Sequence, residues 1–166
     1  MSHVFTYASF SYYLGLSLII GGLLSLGAIA ASTLFKHLPR EDAGWVMTVM
    51  FRRFDMLLVV ALLLVFLGVL GLNASQHLTI QQACPLWGGA LPTQIRVWLT
   101  TFLGGMVLYT SYILNPKLEA YQVQKKEGLI PLAAGQTTQF MKWHKLSEKM
   151  AKWQMLLAIL CLPYGV

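Results

Sequence analysis

A chain of 166 residues in which 57% of side chains are hydrophobic and only 11% are charged departs from soluble usage, where about a quarter of residues are charged. The apolar residues come in long uninterrupted runs and not at scattered core positions, which excludes an ordinary soluble core and points to lipid as the solvent. A net charge of +6 does not indicate nucleic acid as a partner, because the Lys and Arg residues sit between the apolar runs, where topology signals lie.

The first uncharged run extends from Val4 to Phe35, more than the roughly 20 residues that cross about 30 Å of hydrocarbon, and predicts a helix over residues 5–35. Ala28-Ile29-Ala30 has the small-x-small form of a signal-peptide cleavage site, but no Lys or Arg precedes Lys36. A retained membrane helix is therefore expected. Phe5, Tyr7, Phe10, Tyr12 and Tyr13 are expected to form an interfacial aromatic belt. Ser17, Gly21 and Ser25 repeat every four residues, and Gly27 with Ala31 repeats that spacing on a neighbouring face. Small stripes of this kind let helix backbones approach closely in lipid, so this helix is expected at the centre of the bundle or at a partner interface.

Pro39 ends the first helix, since it lacks the helical N–H and clashes with the preceding turn. Asp42 is then placed to cap a second helix over 43–73, entered through Trp45, Val46, Val49 and Met50 and through Arg52, Arg53 and Asp55. Residues Asn73 to Thr93 contain no Lys, Arg, Asp or Glu, and Gly88, Gly89 and Pro92 make the connection a loop. A third helix is expected over 95–127, with Gly104 and Gly105 as packing residues and a break at 115–116 where Pro116 follows Asn115. Gly128 closes it, and residues 129–136 read as loop.

A last helix is expected over 138–163, capped at Thr137 or Thr138. It carries Lys142, His144, Lys145, Glu148, Lys149 and Lys152 before turning apolar at Trp153. The 14 uncharged residues that remain extend only about 21 Å at 1.5 Å per residue. Lys149 and Lys152 are placed to snorkel and lengthen that span.

The expected architecture is all-α, a single membrane domain in the form of a four-helix bundle with helical cytoplasmic extensions. Orientation follows from charge: Lys36, Arg40, Arg52 and Arg53 flank the first connection, and seven lysines lie from Lys117 to Lys152. The middle connection has only Arg96, at its end. The positive-inside bias then puts both termini outside and the first and third connections in the cytoplasm.

Leu34-Phe35-Lys36-His37-Leu38-Pro39-Arg40 after the first helix, Asn115-Pro116-Lys117-Leu118-Glu119 after the third, and Trp143-His144-Lys145-Leu146-Ser147 before the fourth carry a resemblance. In this order and placement they resemble the transmembrane protein 205-like family, also called domain of unknown function 4149, over nearly the whole chain. The resemblance implies a four-helix membrane domain without an agreed biochemical activity. The fourth run ends at Val166, earlier than in such relatives.

No Asp, Glu, Lys or Arg lies in the interior of an apolar run, which disfavours an ion-coupled transporter. Polarity concentrates at the cytoplasmic ends, where Arg40, Arg53, Asp55, Asn115, Glu119, His144 and Glu148 are expected to converge. His144 and Glu148 share a helix face, as a metal pair or an oriented base would. A salt-bridge network is the plainer reading, because no His-Glu-x-x-His spacing is present. None of His3, His37, His77 and His144 lies in an apolar run, so no haem or pigment ligand is apparent, and no cofactor is assigned. Met47, Met50, Met141 and Met150 read as fillers rather than a Cu(I) site. Cys84 and Cys161 are too few for a disulfide framework, and neither Cys84 nor Ser147 has triad partners.

The sequence thus predicts a protein that is not an enzyme, an accessory or scaffolding subunit bound to membrane lipids and to other membrane protein subunits, in a bacterial inner membrane. The alternative is a small-solute or metal-ion carrier or sensor that uses the cytoplasmic polar cluster around His144.

Overall fold

The computed structural model describes residues 2–75, 91–126 and 134–164, all of them helical apart from a short link at Leu38 and Pro39. Of the sequence features named above, His77, Cys84, Gly88, Gly89 and Gly128 lie outside the described residues, as does 129–133 of the expected loop.

The first rod runs as α1 (Ser2–Leu24), a π-helical turn (Ser25–Ala30) and α2 (Ala31–His37). The π turn is marked by Ala31 N–H donating to the Leu26 carbonyl, five residues back. Ser32 Oγ donates to the carbonyls of Ala28 at 2.6 Å and Ile29 at 3.0 Å, taking up acceptors beside the loosened turn. Leu38, pushed off the helical region by the following proline, is extended at φ −119°, ψ 152°. The chain reverses there into α3 (Arg40–Ser75), which packs antiparallel on α1.

The third rod consists of α4 (Leu91–Tyr109), a second π turn (Thr110–Leu114) and α5 (Asn115–Lys126). Pro116 does not break it. Proline is tolerated within the first turn of a helix, where its missing N–H is not needed, and α5 begins one residue before it. The disturbance lies instead upstream, in the π turn. The fourth rod, α6 (Ala134–Cys161), starts before Thr137 and Thr138, which lie inside it, and ends in a 3₁₀ turn at Leu162–Tyr164.

Among the described residues three helical stretches are long and apolar enough to cross a membrane: His3–His37, Asp42–Ala74 and Thr93–Gln124. This is a membrane protein. The first rod packs on α3 and α6, and α4 packs on α3 and α6 in turn. The core between them is built from Tyr12, Leu16, Ile19, Val65, Leu72, Leu103 and Val107. Lipid is as apolar as these side chains, so what holds the rods together is close packing, worth only about 0.1–0.2 kcal/mol per atom pair and therefore dependent on near approach.

That approach comes from glycines the sequence pattern did not single out. A Cβ on Gly68 would stand 2.7 Å from the Tyr12 backbone, and one on Gly15 would stand 2.5 Å from the Ala61 carbonyl oxygen. Gly104 also packs inward, with Phe66 3.1 Å from where its Cβ would be. Ser17, Gly21, Ser25 and Gly27, in contrast, face outward, and Ala31 is half-buried. Among the described residues, nothing beyond the helix itself lies within 4 Å of a Cβ added to Gly21, Gly27 or Gly105. The expected aromatic belt is divided too. Tyr7 and Phe10 are exposed, but Tyr12 is 0% exposed and belongs to the core.

Candidate functional site

Among the described residues, two buried side chains of the charged types lie toward opposite ends of the rods. Asp55, 5% exposed, projects from α3 into the space between the rods. Asn115 Nδ2 donates to its Oδ1 at 2.8 Å and its Oδ2 at 3.0 Å, and Ser111 Oγ donates to Oδ1 at 3.1 Å. Ser111 and Asn115 are four residues apart across the end of the π turn. A wider turn brings residues at that spacing more nearly into line than the α-helix does, where they are about 40° apart.

The π turn is supported by neighbouring side chains. Thr110 Oγ1 donates toward the carbonyls of Met106 at 3.0 Å and Val107 at 2.9 Å. Gln154, buried on α6, donates through Nε2 to the Met106 carbonyl at 3.0 Å and to Thr110 Oγ1 at 2.9 Å. A cavity of about 20 Å³ is lined by Asp55, Thr110, Asn115, Ser147 and Gln154 among apolar neighbours that include Leu23, Phe54 and Leu58. α3, α4, α5 and α6 thus meet at one polar hub.

Of the residues expected to converge, and among those whose side chains are described, Asp55 and Asn115 are the pair that meets at the hub through a direct contact. Arg53 is exposed on α3, and its neighbour Arg52 takes Glu119, Nε to Oε2, at 3.5 Å. His144 is exposed and stacks on Phe140, with ring centroids 6.1 Å apart. Glu148 accepts from Lys152 Nζ at 2.7 Å on the surface of α6. The Arg40 side chain lies outside the described part of the structure. Long charged side chains at rod ends reach water more cheaply than they reach each other, which explains the scatter. The sequence did not identify Ser111 and Gln154 as hub residues; a Gln on the apolar half of α6, two and three residues before Leu156 and Leu157, was the available signal.

Toward the other end, Arg96 is 2% exposed. Its Nη2 donates to Asn73 Oδ1 on α3 and its Nη1 donates to the Tyr164 carbonyl at 3.3 Å. Nearby, Tyr12 OH donates to the Cys161 carbonyl at 2.8 Å. These contacts fasten the end of α6 to α1 and α4. Read from the sequence, Arg96 marks only a helix entry; burial makes it a clamp.

A third feature is the outward face of the first rod. The most apolar stretch of that rod is 22% buried within the protein, against 44% for each of the other two spans.

Residues 14–127 match the family described as Domain of unknown function (DUF4149). The chain belongs to this family. The match takes in Asp55, Ser111 and Asn115 as well as Gly15 and Gly68, and ends before α6, which supplies Gln154. No curated protein and no solved structure matches the chain.

Proposed function

We propose that this DUF4149 protein is a non-catalytic membrane module, an accessory or scaffolding subunit that packs against a larger membrane protein through the uncovered face of its first rod. The observation that carries this reading is the outward placement of Ser17, Gly21, Ser25 and Gly27, with no atom of another described element near a Cβ on either glycine. A helix built this way offers a partner helix a closer backbone approach than branched side chains allow.

The same reading places both termini outside and the Asp55 end toward the cytoplasm, supported by the basic residues flanking the first and third connections, and takes a bacterial inner membrane as the setting. A carrier or sensor built on His144 is the weaker alternative, because His144 lies exposed on a phenyl ring and Glu148 is engaged by Lys152.

Extraction in a mild detergent, affinity capture and mass spectrometry test the proposal. A stoichiometric larger membrane protein is expected with the wild type and is lost with Gly21→Leu, whereas Phe10→Ala, on the exposed start of α1, retains it. Recovery of a clean monomer with no stoichiometric partner sinks it.

A further inference from the structure

Asp55 presents a charge-balance problem. It is 5% exposed, yet among the described residues every group that donates to it is neutral, Asn115 and Ser111. Among the described residues no basic side chain pairs with it. Arg52, three residues earlier, is taken by Glu119. An unpaired carboxylate in a low-dielectric interior is costly and is ordinarily paired, neutralised or bound to a cation.

The hydrogen inventory around the cavity shows what an occupant beside the carboxylate would meet. Both N–H groups of Gln154 are committed, to a backbone carbonyl and to Thr110 Oγ1. Because a carbonyl only accepts, that orientation of the amide is fixed, and Gln154 Oε1 is what remains to be offered. The same logic fixes Asn115, whose Nδ2 faces the carboxylate and whose Oδ1 is left over. The hydroxyl protons of Ser111 and Thr110 are likewise given away, to Asp55 and to backbone carbonyls. Apart from the hydroxyl of Ser147, which also lines the cavity, the residual capacity of the hub is therefore acceptor capacity, from hard oxygens carrying one formal negative charge.

We propose that the cavity beside Asp55 is a binding site for one small monovalent cation of about the size of sodium, held by oxygens of Asp55, Asn115 and Gln154. The cavity of about 20 Å³ exceeds the roughly 10–15 Å³ needed for one water-sized occupant and has no room for several. Oxygen-only donors select hard cations over copper or zinc. One carboxylate balances a single charge, and a divalent ion would leave a net positive charge buried. Because Asn115 and Ser111 come from the third rod and Gln154 from the fourth, occupancy would tie α3, the third rod and α6 together.

The test uses the full chain in detergent or nanodiscs, with sodium exchanged for N-methylglucamine at constant ionic strength. Saturable binding of radioactive sodium at one ion per chain is expected, with a melting temperature that rises with sodium. Asp55→Asn keeps the shape of the side chain and should weaken binding at least about tenfold, and Gln154→Met should weaken it less. Four outcomes overturn the proposal: no saturable binding by the wild type, equal stabilisation by sodium and N-methylglucamine, calcium bound in preference to sodium, or full binding by a folded Asp55→Asn protein. The wild-type measurement stands whether or not the variants fold, and neither depends on a partner being captured through Gly21.

Discussion

The first two rods carry small residues to opposite ends. At the seam between α1 and α3, Gly15 and Gly68 each meet the backbone of the facing helix. A few residues along, Gly21 and Gly27 meet no other described element. One residue type thus serves two purposes, and spacing alone does not say which. A repeat of four marks a face, but the partner on that face is set by how the whole chain folds. Ser17, Gly21 and Ser25 form the more regular pattern, yet the seam lies on the less regular one.

Substitution separates the two sets. Gly68→Val drives methyl groups into the Tyr12 backbone and is expected to cost about 3 kcal/mol, the upper end for overpacking. A large fall in the melting temperature in detergent would report it. Gly21→Val should leave the isolated protein within about 0.5 kcal/mol of wild type while abolishing capture of the partner. Equal destabilisation by both substitutions would erase the distinction between seam and outer face.

The same contrast extends to polar contacts. Asn115→Ala removes the amide that faces both oxygens of Asp55 and is expected to cost about 1.5–3 kcal/mol, as for hydrogen bonds to charged groups. Ser17→Ala, on the outer face, should cost nothing measurable in the same melting experiment. Gln154→Leu lies lower, at about 1–2 kcal/mol, because it strips a neutral donor from the Met106 carbonyl and Thr110 while filling similar space.

The smallest effect belongs to the surface of α6. Lys152 holds the Glu148 carboxyl below the usual carboxylate range, first through its hydrogen bond and then through its charge. A lowered folded pKa contributes stability above the unfolded value of about 4.3 and loses it as pH falls through the lowered value. Both side chains are largely exposed, 71% and 57%, so solvent and salt screen the pair. Lys152→Ala should melt indistinguishably from wild type at neutral pH. A clear loss would move this pair from the surface into the group of stabilising contacts.

The membrane character, the helical class and the turn at Pro39 were legible because each follows from local chemistry: run length, charge exclusion and a missing N–H. The hub was half legible. Asp55 and Asn115 stand out as polar residues at the edges of apolar runs. Ser111 does not, since a serine among apolar neighbours more often packs than binds. Nor does Tyr12, whose position within an aromatic cluster suggests the interface while its hydroxyl reaches the end of the fourth rod. Such pairings span more than a hundred residues of chain and leave no local trace. Proline at 116 attracted attention that belonged to the π turn before it, which has no single-residue signature.

That turn has a consequence for how the chain tolerates length changes. A π turn is an α-helix holding one surplus residue. Deleting Ile113, which is exposed, would let the segment wind back to 3.6 residues per turn with the surplus gone, so that the residues downstream keep nearly their present facing. Asn115 would stay turned toward Asp55, and Glu119 toward Arg52. A deletion within α4, which holds no surplus residue, would instead rotate everything downstream by about 100°.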